Sequence, residues 1–202
     1  MSKGEAKSLE QRLQEKFLFK DLEFRPARFQ RLRDGRIVTE MLTYITARAV
    51  QQRLDDLFGL AGWRASYEWI SGGCQCLLSV KVGEEWIAKA DFAETIDKFP
   101  VKGTASDAFK RAAVQFGIGR YLYSLESAPT PVYDKPTKAI NEVRVSGKIK
   151  SNGQDTWVNG YVLVPLTKEM LLAEEYEVLT GAKEAEEAPA ESEQQAAPVQ
   201  TS

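Results

Sequence analysis

The chain has 202 residues, 43% of them hydrophobic and 28% charged, a net charge of −2, two cysteines and no histidine. These figures allow one sizeable domain with a buried core, and they exclude histidine-based triads, HExxH metal centres and a disulfide scaffold. The net charge does not exclude a polyanionic partner, because five of the 29 acids and one of the 27 bases lie from Gly181 onward, leaving the preceding residues at a net +2.

No apolar run reaches the length of a membrane span, and the opening residues lack the apolar stretch of a signal peptide. A cytoplasmic protein without a membrane partner is expected. Residues 8–17 read as a short helix with Leu9, Leu13 and Phe17 on one face. Residues 22–33, LEFRPARFQRLR, interleave Arg25, Arg28, Arg31 and Arg33 with Phe24 and Phe29. Pro26 pushes Arg25 toward an extended backbone. This basic-aromatic arm has two open readings, a nucleic-acid backbone contact and a surface or subunit-packing segment.

Thr46 is placed to cap a helix ending at Phe58, with Ala47, Val50, Leu54, Leu57 and Phe58 inward and Arg48, Gln51 and Arg53 off that stripe. Three strands follow, Trp63–Ile70, 74–82 and Glu85–Glu94. The turns between them, Ser71-Gly72-Gly73 and Gly83-Glu84, are so short that the strands must be antiparallel neighbours. Cys74 and Cys76 face one side of the middle strand and read as a buried reduced pair, since two ligands cannot close a zinc site. The loop 95–102 carries Lys98, Pro100 and Lys102.

Residues 103–123, GTASDAFKRAAVQFGIGRYLY, organise the rest. Ala105, Ala108, Phe109, Ala112, Ala113 and Phe116 make the stripe of a buried helix face, and Asp107, Lys110, Arg111 and Val114 fall opposite. Thr104 or Ser106 is expected to cap the helix, and Gly117 and Gly119 to end it. Small alanines let such a helix lie close on a sheet, with Lys110–Arg111 pointing outward. Taken alone, the basic pair is either a solvated helix face or a binding site. Tyr121 and Tyr123 read as packing under the helix end, with stacking on bases the alternative.

Residues 126–140 hold three prolines and read as an extended crossing. Residues 143–150 alternate as a strand, with Arg144, Ser146, Lys148 and Lys150 on one face. Asn152-Gly153 turns into a return strand over 156–165, where Asn159-Gly160 signals a second turn or bulge. Arg144, Lys148 and Lys150 either extend a DNA track or guard an edge strand. Residues 166–179 read as a last helix. Residues 181–202, rich in Ala, Glu, Gln and Pro, read as a disordered acidic tail. The fold class is α+β: an antiparallel three-stranded sheet with helices on one face, an α-β-β-β-α core, plus a C-terminal β-hairpin and helix.

Asp107-x-x-Lys110-Arg111 followed by Phe116-Gly117-x-Gly119-x-Tyr121-Leu122-Tyr123 resembles the signature of the Rad-fifty-two-type single-strand annealing proteins, in the manner of their bacterial DNA damage response A (DdrA) branch. Tyr44-Ile45, Val50, Leu54, Phe58-Gly59 and Gly62-Trp63 match that family's other motif, a helix running into FG-x-x-GW. The two motifs cover about 44–125. The resemblance implies a ring-forming protomer with single-stranded DNA in an outer groove. It divides the chain into an N-terminal helix and basic arm (1–43), an annealing core (44–125), an accessory hairpin and helix (126–180) and the tail (181–202). It also implies that Lys110 and Arg111 are the central DNA-contacting pair. Val114 stands where relatives often place another basic residue, with Arg120 available to compensate. Arg48 lies one position from the family's early-helix contact, and Lys102 and Lys98 suit an outer contact.

No G-x-x-x-x-G-K-[ST] is present, so ATP hydrolysis is not expected. Asp91, Glu94 and Asp97 beside Lys89 do not share a strand face, and they read as solvated or interface charges rather than a magnesium cluster. Neither catalytic residues, a metal nor a cofactor is expected. The leading reading is a homo-oligomeric, non-enzymatic protein that binds single-stranded DNA and anneals complementary strands without ATP in recombination or double-strand-break repair. Protection of DNA 3′ ends is a further role, and the tail is a contact for a single-strand-binding or recombination partner. The alternatives are a double-stranded RNA-binding module, which shares the α-β-β-β-α order, and a structural end-protecting ring without annealing activity.

Overall fold

Ser8 caps the first helix, α1 (Leu9–Leu13), through a reciprocal box with Gln11. In a computed structural model, which describes residues 6–95, 102–151 and 154–181, this helix ends at Leu13 rather than near Phe17. Phe17 still reaches the core from the chain beyond.

The basic-aromatic stretch is not an arm. It is strand β1 (Leu22–Arg31), paired antiparallel with β2 (Ile37–Ile45). The run Ile37-Val38-Thr39-Glu40-Met41-Leu42 sets apolar residues side by side, so a strand there shows no clean alternation in the sequence. The β1–β2 register shifts between Pro26 and Phe29. Proline has no N–H to give the ladder, and a bulge is one place where a strand tolerates it. A short β6 (Thr130–Pro131), from the crossing segment, pairs with the other edge of β2.

Thr46 Oγ1 accepts the Ala49 N–H at the start of α2 (Ala47–Phe58). Strands β3 (Trp63–Ile70), β4 (Gly73–Val82) and β5 (Glu85–Glu94) form a separate antiparallel sheet with β4 in the middle. Helix α3 (Lys102–Gln115) packs on β4 and β5, and α2 lies beside α3 and against β3, completing the expected α-β-β-β-α unit. Inward residues Cys74, Cys76, Leu78 and Val80 of β4 meet Ala108, Phe109, Ala112 and Ala113 of α3, all nearly or fully buried. Neither cysteine is in a disulfide, and burial pushes the Cys76 thiol up to about 11. Helix α3 starts at Lys102, so Thr104 and Ser106 sit inside it and do not cap it. Gly117 and Gly119 leave it at φ 98° and 68°, conformations that cost a Cβ-bearing residue energy. A Cβ on Gly119 would also stand 2.7 Å from Ile45 Cδ1.

Strands β7 (Glu142–Ser151) and β8 (Gln154–Leu163) form a hairpin in unbroken register. Asn159-Gly160 is therefore mid-strand, not a turn or bulge. Gly160 is small for a different reason: a Cβ there would meet Val132 and the Tyr133 carbonyl at 2.6 and 2.7 Å. The crossing segment passes over it, tied by a bridge between Tyr133 and Tyr161. Strand β7 lies against β1, with the Phe29 ring over Gly147.

The last helix, α4 (Ala173–Thr180), is shorter than the sequence spacing suggests, because Thr167–Met170 forms a turn in which Thr167 Oγ1 accepts the Met170 N–H. The Glu175 carboxylate accepts the Phe19 N–H at 2.9 Å, and Lys16 Nζ donates to the Leu171 carbonyl at 3.1 Å and to that of Lys168, so the two ends of the fold are clasped. One buried cluster runs from Leu13 to Leu171. Among the described residues no helix is long and apolar enough to cross a membrane. Lys98, Asp97, the Asn152-Gly153 turn and the tail beyond Gly181 lie outside the described residues.

Candidate nucleic-acid interface

With Ala108, Phe109, Ala112 and Ala113 turned into the sheet, the helical period carries Asp107, Lys110 and Arg111 round to the other side of α3. The two basic residues do not project as an equal pair. Lys110 Nζ is 3.1 Å from Asp107 Oδ1, one turn earlier, and its side chain is only 14% exposed. Arg111 is 49% exposed and reaches back to the sheet, where its Nε meets Asp91 Oδ1 at 3.0 Å. A guanidinium has five N–H donors, so a carboxylate on Nε does not exhaust it.

Asp91 is built to hold that arginine. Its carboxylate also accepts the Phe92 N–H at 2.7 Å and the Gln115 Nε2 at 3.2 Å. Partial burial works against its charge, but the Phe92 and Gln115 donors and Arg111 together outweigh this and keep the carboxyl below its ordinary range. The neighbouring Lys89 Nζ donates to the Gln115 carbonyl at 2.8 Å. Asp91 is therefore an orienting group for Arg111 and not a solvated charge.

Lys110 and Arg111 line an open cleft of about 1330 Å³ between α3, β2 and the chain after α3. Tyr44 of β2, Phe92 of β5 and Tyr123 supply aromatic surface in the same cleft. Tyr123 is 68% exposed there, contrary to the expectation that it packs under the helix end. Tyr121 does pack: its hydroxyl accepts the Phe17 N–H at 3.0 Å. A second cleft, of about 930 Å³, opens between the start of α2 and the chain before β1, and Lys110 lines it together with Arg48, Lys16 and Lys20. Arg48 and Lys110, far apart in sequence, are thus brought to one surface.

Other expected site residues stand elsewhere. Arg120 lines neither cleft; it donates to the Val114 and Gln115 carbonyls at 2.9 Å each, satisfying the end of α3. Lys102 opens α3. Arg144, Lys148 and Lys150 are exposed on the outer face of β7, and Lys148 pairs with Asp155 at 3.2 Å. Arg53 is partly buried with its guanidinium over the Phe17 ring, donating to the Arg12 and Glu15 carbonyls at 3.0 Å each.

The glycines and tryptophan of the FG-x-x-GW motif shape the fold rather than the cleft. Gly59 takes φ 70° after α2, and a Cβ on Gly62 would collide with the Phe58 carbonyl. Trp63 Nε1 donates to Asp55 at 2.7 Å while its ring packs on Phe109. The residues that sequence reading left out of the cleft are Tyr44 and Arg25, which come from β2 and β1. Once β1–β2 pairing is known, the basic-aromatic spelling of β1 points to them.

A sheet covered by two helices, with a basic helix face above an aromatic-lined cleft, is the protomer architecture of a nucleic-acid-binding protein. The model of the Rad52/22 family double-strand break repair protein matches residues 5–139, well over half of the chain, and the chain belongs to that family. Its relatives include the single-stranded DNA-binding protein DdrA of Deinococcus radiodurans, 35% identical over 119 residues, which are 58% of this chain and 55% of the relative. The single-stranded DNA-binding protein DdrA of Deinococcus deserti is 41% identical over 87 residues, 42% of this chain and 43% of that protein. The chain thus spans about half the length of the curated relatives it matches.

Proposed function

We propose that this chain binds single-stranded DNA in the α3 cleft and promotes ATP-independent annealing of complementary strands in double-strand-break repair. The observation that carries the reading is the held pair: Lys110 and Arg111, each fixed by a carboxylate, at an open cleft that also presents Tyr44 and Tyr123. Membership of a repair family and relatives named as single-stranded DNA-binding proteins support it. Lys and Arg contacts to phosphates release counterions, so affinity falls with salt at a log–log slope of about −0.7 per phosphate neutralised. A strand held by its backbone leaves base edges free, and pairing with a second strand then drives annealing downhill. Residues 44–125 supply the binding core, with Arg48 and Lys102 as further contacts, and 126–180 are accessory.

The working unit is a homo-oligomeric ring in the cytoplasm. In the β3-β4-β5 sheet, β3 and β5 each have an edge with no partner strand among the described residues, and Tyr67, Trp69, Trp86 and Ile87 are 40–50% exposed along them. Such edges are surfaces a second copy covers. Protection of 3′ ends and a partner contact through the tail belong to the same reading.

The test is a fluorescence-quench assay with two complementary oligonucleotides, run with and without magnesium and ATP, alongside light scattering for the oligomer. Faster annealing that is indifferent to ATP is expected. End binding without acceleration would leave only a protective scaffold, and preference for an RNA duplex over single-stranded DNA would replace the reading with duplex recognition.

A further inference from the structure

The two clefts are separated by a single row of side chains. Arg25 and Lys110 line both of them, and Tyr44, which lines the first, lies between the two cations. The placement follows from the β1–β2 ladder. Arg25 sits opposite Leu42 and Glu23 opposite Tyr44, so Arg25 and Tyr44 are diagonal neighbours on one sheet face. Pro26, directly after Arg25, opens the bulge, which ends the regular ladder at this point.

The Arg25 guanidinium lies 5.7 Å from the Tyr44 ring centroid, and Lys110 Nζ lies 5.8 Å from the same centroid. Both distances are near the outer end of the range over which a ring attracts a cation, so the ring orients the two charges without binding either tightly. Their carboxylate partners differ in grip. Arg25 has Glu23 at 3.5 Å with both side chains largely exposed, a contact that water and salt screen. Lys110 has Asp107 at 3.1 Å. Arg25 is thus the more available cation, with its side chain 63% exposed, at the point where one cleft passes into the other.

We infer that Arg25 belongs to the phosphate-binding set, that Tyr44 is the positioning residue that sets Arg25 and Lys110 on one line, and that a single strand crosses from the α3 cleft toward Arg48 over this row. The inference rests on the single-strand-binding reading above and adds to it a contact from outside the central helix. A path confined to the α3 cleft would leave Arg25 and Arg48 idle. A path over the row uses Arg111, Lys110, Arg25 and Arg48 in turn.

The experiment is anisotropy titration of labelled oligo-dT over a range of salt concentrations, using the full chain, Arg25→Ala, Arg25→Lys, Tyr44→Phe, Tyr44→Leu and the Lys110→Ala/Arg111→Ala double variant, each with a melting curve. Arg25→Ala should weaken binding about tenfold and make the salt slope shallower by about 0.7, one phosphate's worth. Arg25→Lys should restore most of the slope. Tyr44→Phe, which keeps the ring, should match the parent, and Tyr44→Leu should lose what Arg25→Ala loses. If Tyr44→Leu melts early, the Arg25→Ala slope decides. Parental slope and affinity in Arg25→Ala, with binding lost in the double variant, would overturn this inference and leave the proposed function standing. No binding of oligo-dT by the unmodified chain would remove the proposed function itself, and this inference with it.

Discussion

The Lys110–Arg111 pair on α3 and the Arg144–Lys148–Lys150 row on β7 carry similar charge on opposite kinds of surface. The first is concave, and its cations are held by Asp107, Asp91 and an aromatic ring. The second is the outer face of a hairpin, where all three side chains are exposed and Lys148 pairs only with Asp155, itself half exposed. Held cations lose less side-chain entropy when a phosphate arrives, whereas solvated ones must be ordered at that moment. Basic residues at equal net charge are therefore not equal sites, and the difference lies in what stands beside them.

The largest expected effect breaks the first region. Lys110→Ala with Arg111→Ala should weaken single-strand binding by about 100-fold or more, since charged hydrogen bonds contribute roughly 1.5–3 kcal/mol each, with the melting temperature nearly unchanged; anisotropy and thermal unfolding read both. Asp91→Ala should cost about tenfold in affinity by releasing Arg111 from the acceptor that orients it. A gain in affinity would show instead that Asp91 competes with phosphate. Removing Arg144, Lys148 and Lys150 together should cost about threefold at most, through loss of diffuse charge. A loss equal to that of the α3 double variant would erase the contrast.

Acidity supplies a sharper comparison with a smaller expected change. The Asp91 carboxyl titrates below its ordinary range, so its hold on Arg111 is present above the unfolded value near 3.8 and is lost only as pH falls through the lower folded one. With no histidine in the chain, affinity should stay flat between about pH 8 and pH 5 at fixed salt. The smallest effect on binding belongs to Arg120→Ala, which uncaps two helix-end carbonyls: a loss of about 0.5–1.5 kcal/mol in stability by denaturant titration, with the salt slope unchanged.

Residues in the Lys110–Arg111 helix and the three strands before it were legible because they obey local rules. Alternation and Gly-rich turns mark β3 to β5, and the alanine stripe marks the face of α3 that meets them. Strand β2 was not legible, because Ile37–Leu42 has apolar residues on both faces, as a strand covered on both sides requires. Missing it hid the whole β1–β2 sheet, and with it the reason Arg25 stands near Lys110. The Asn159-Gly160 signal misled for a related cause: Gly160 answers to a neighbour, the Val132–Tyr133 crossing, and not to a turn of its own chain.

What the sequence determined alone was therefore the α-β-β-β-α unit, the buried cysteines, the left-handed glycines after α3 and the helix face that carries the basic pair. Each depends on backbone geometry and side-chain period over a few residues. Only the tertiary structure decided that Lys110 is largely covered while Arg111 is held from β5, that Arg120 caps a helix, and that Arg25, Tyr44 and Arg48 meet at one surface. Those are through-space facts: a cation's availability depends on the acids, rings and carbonyls folded against it, and their identity is set by strand register and helix packing rather than by the residues alongside it in the chain.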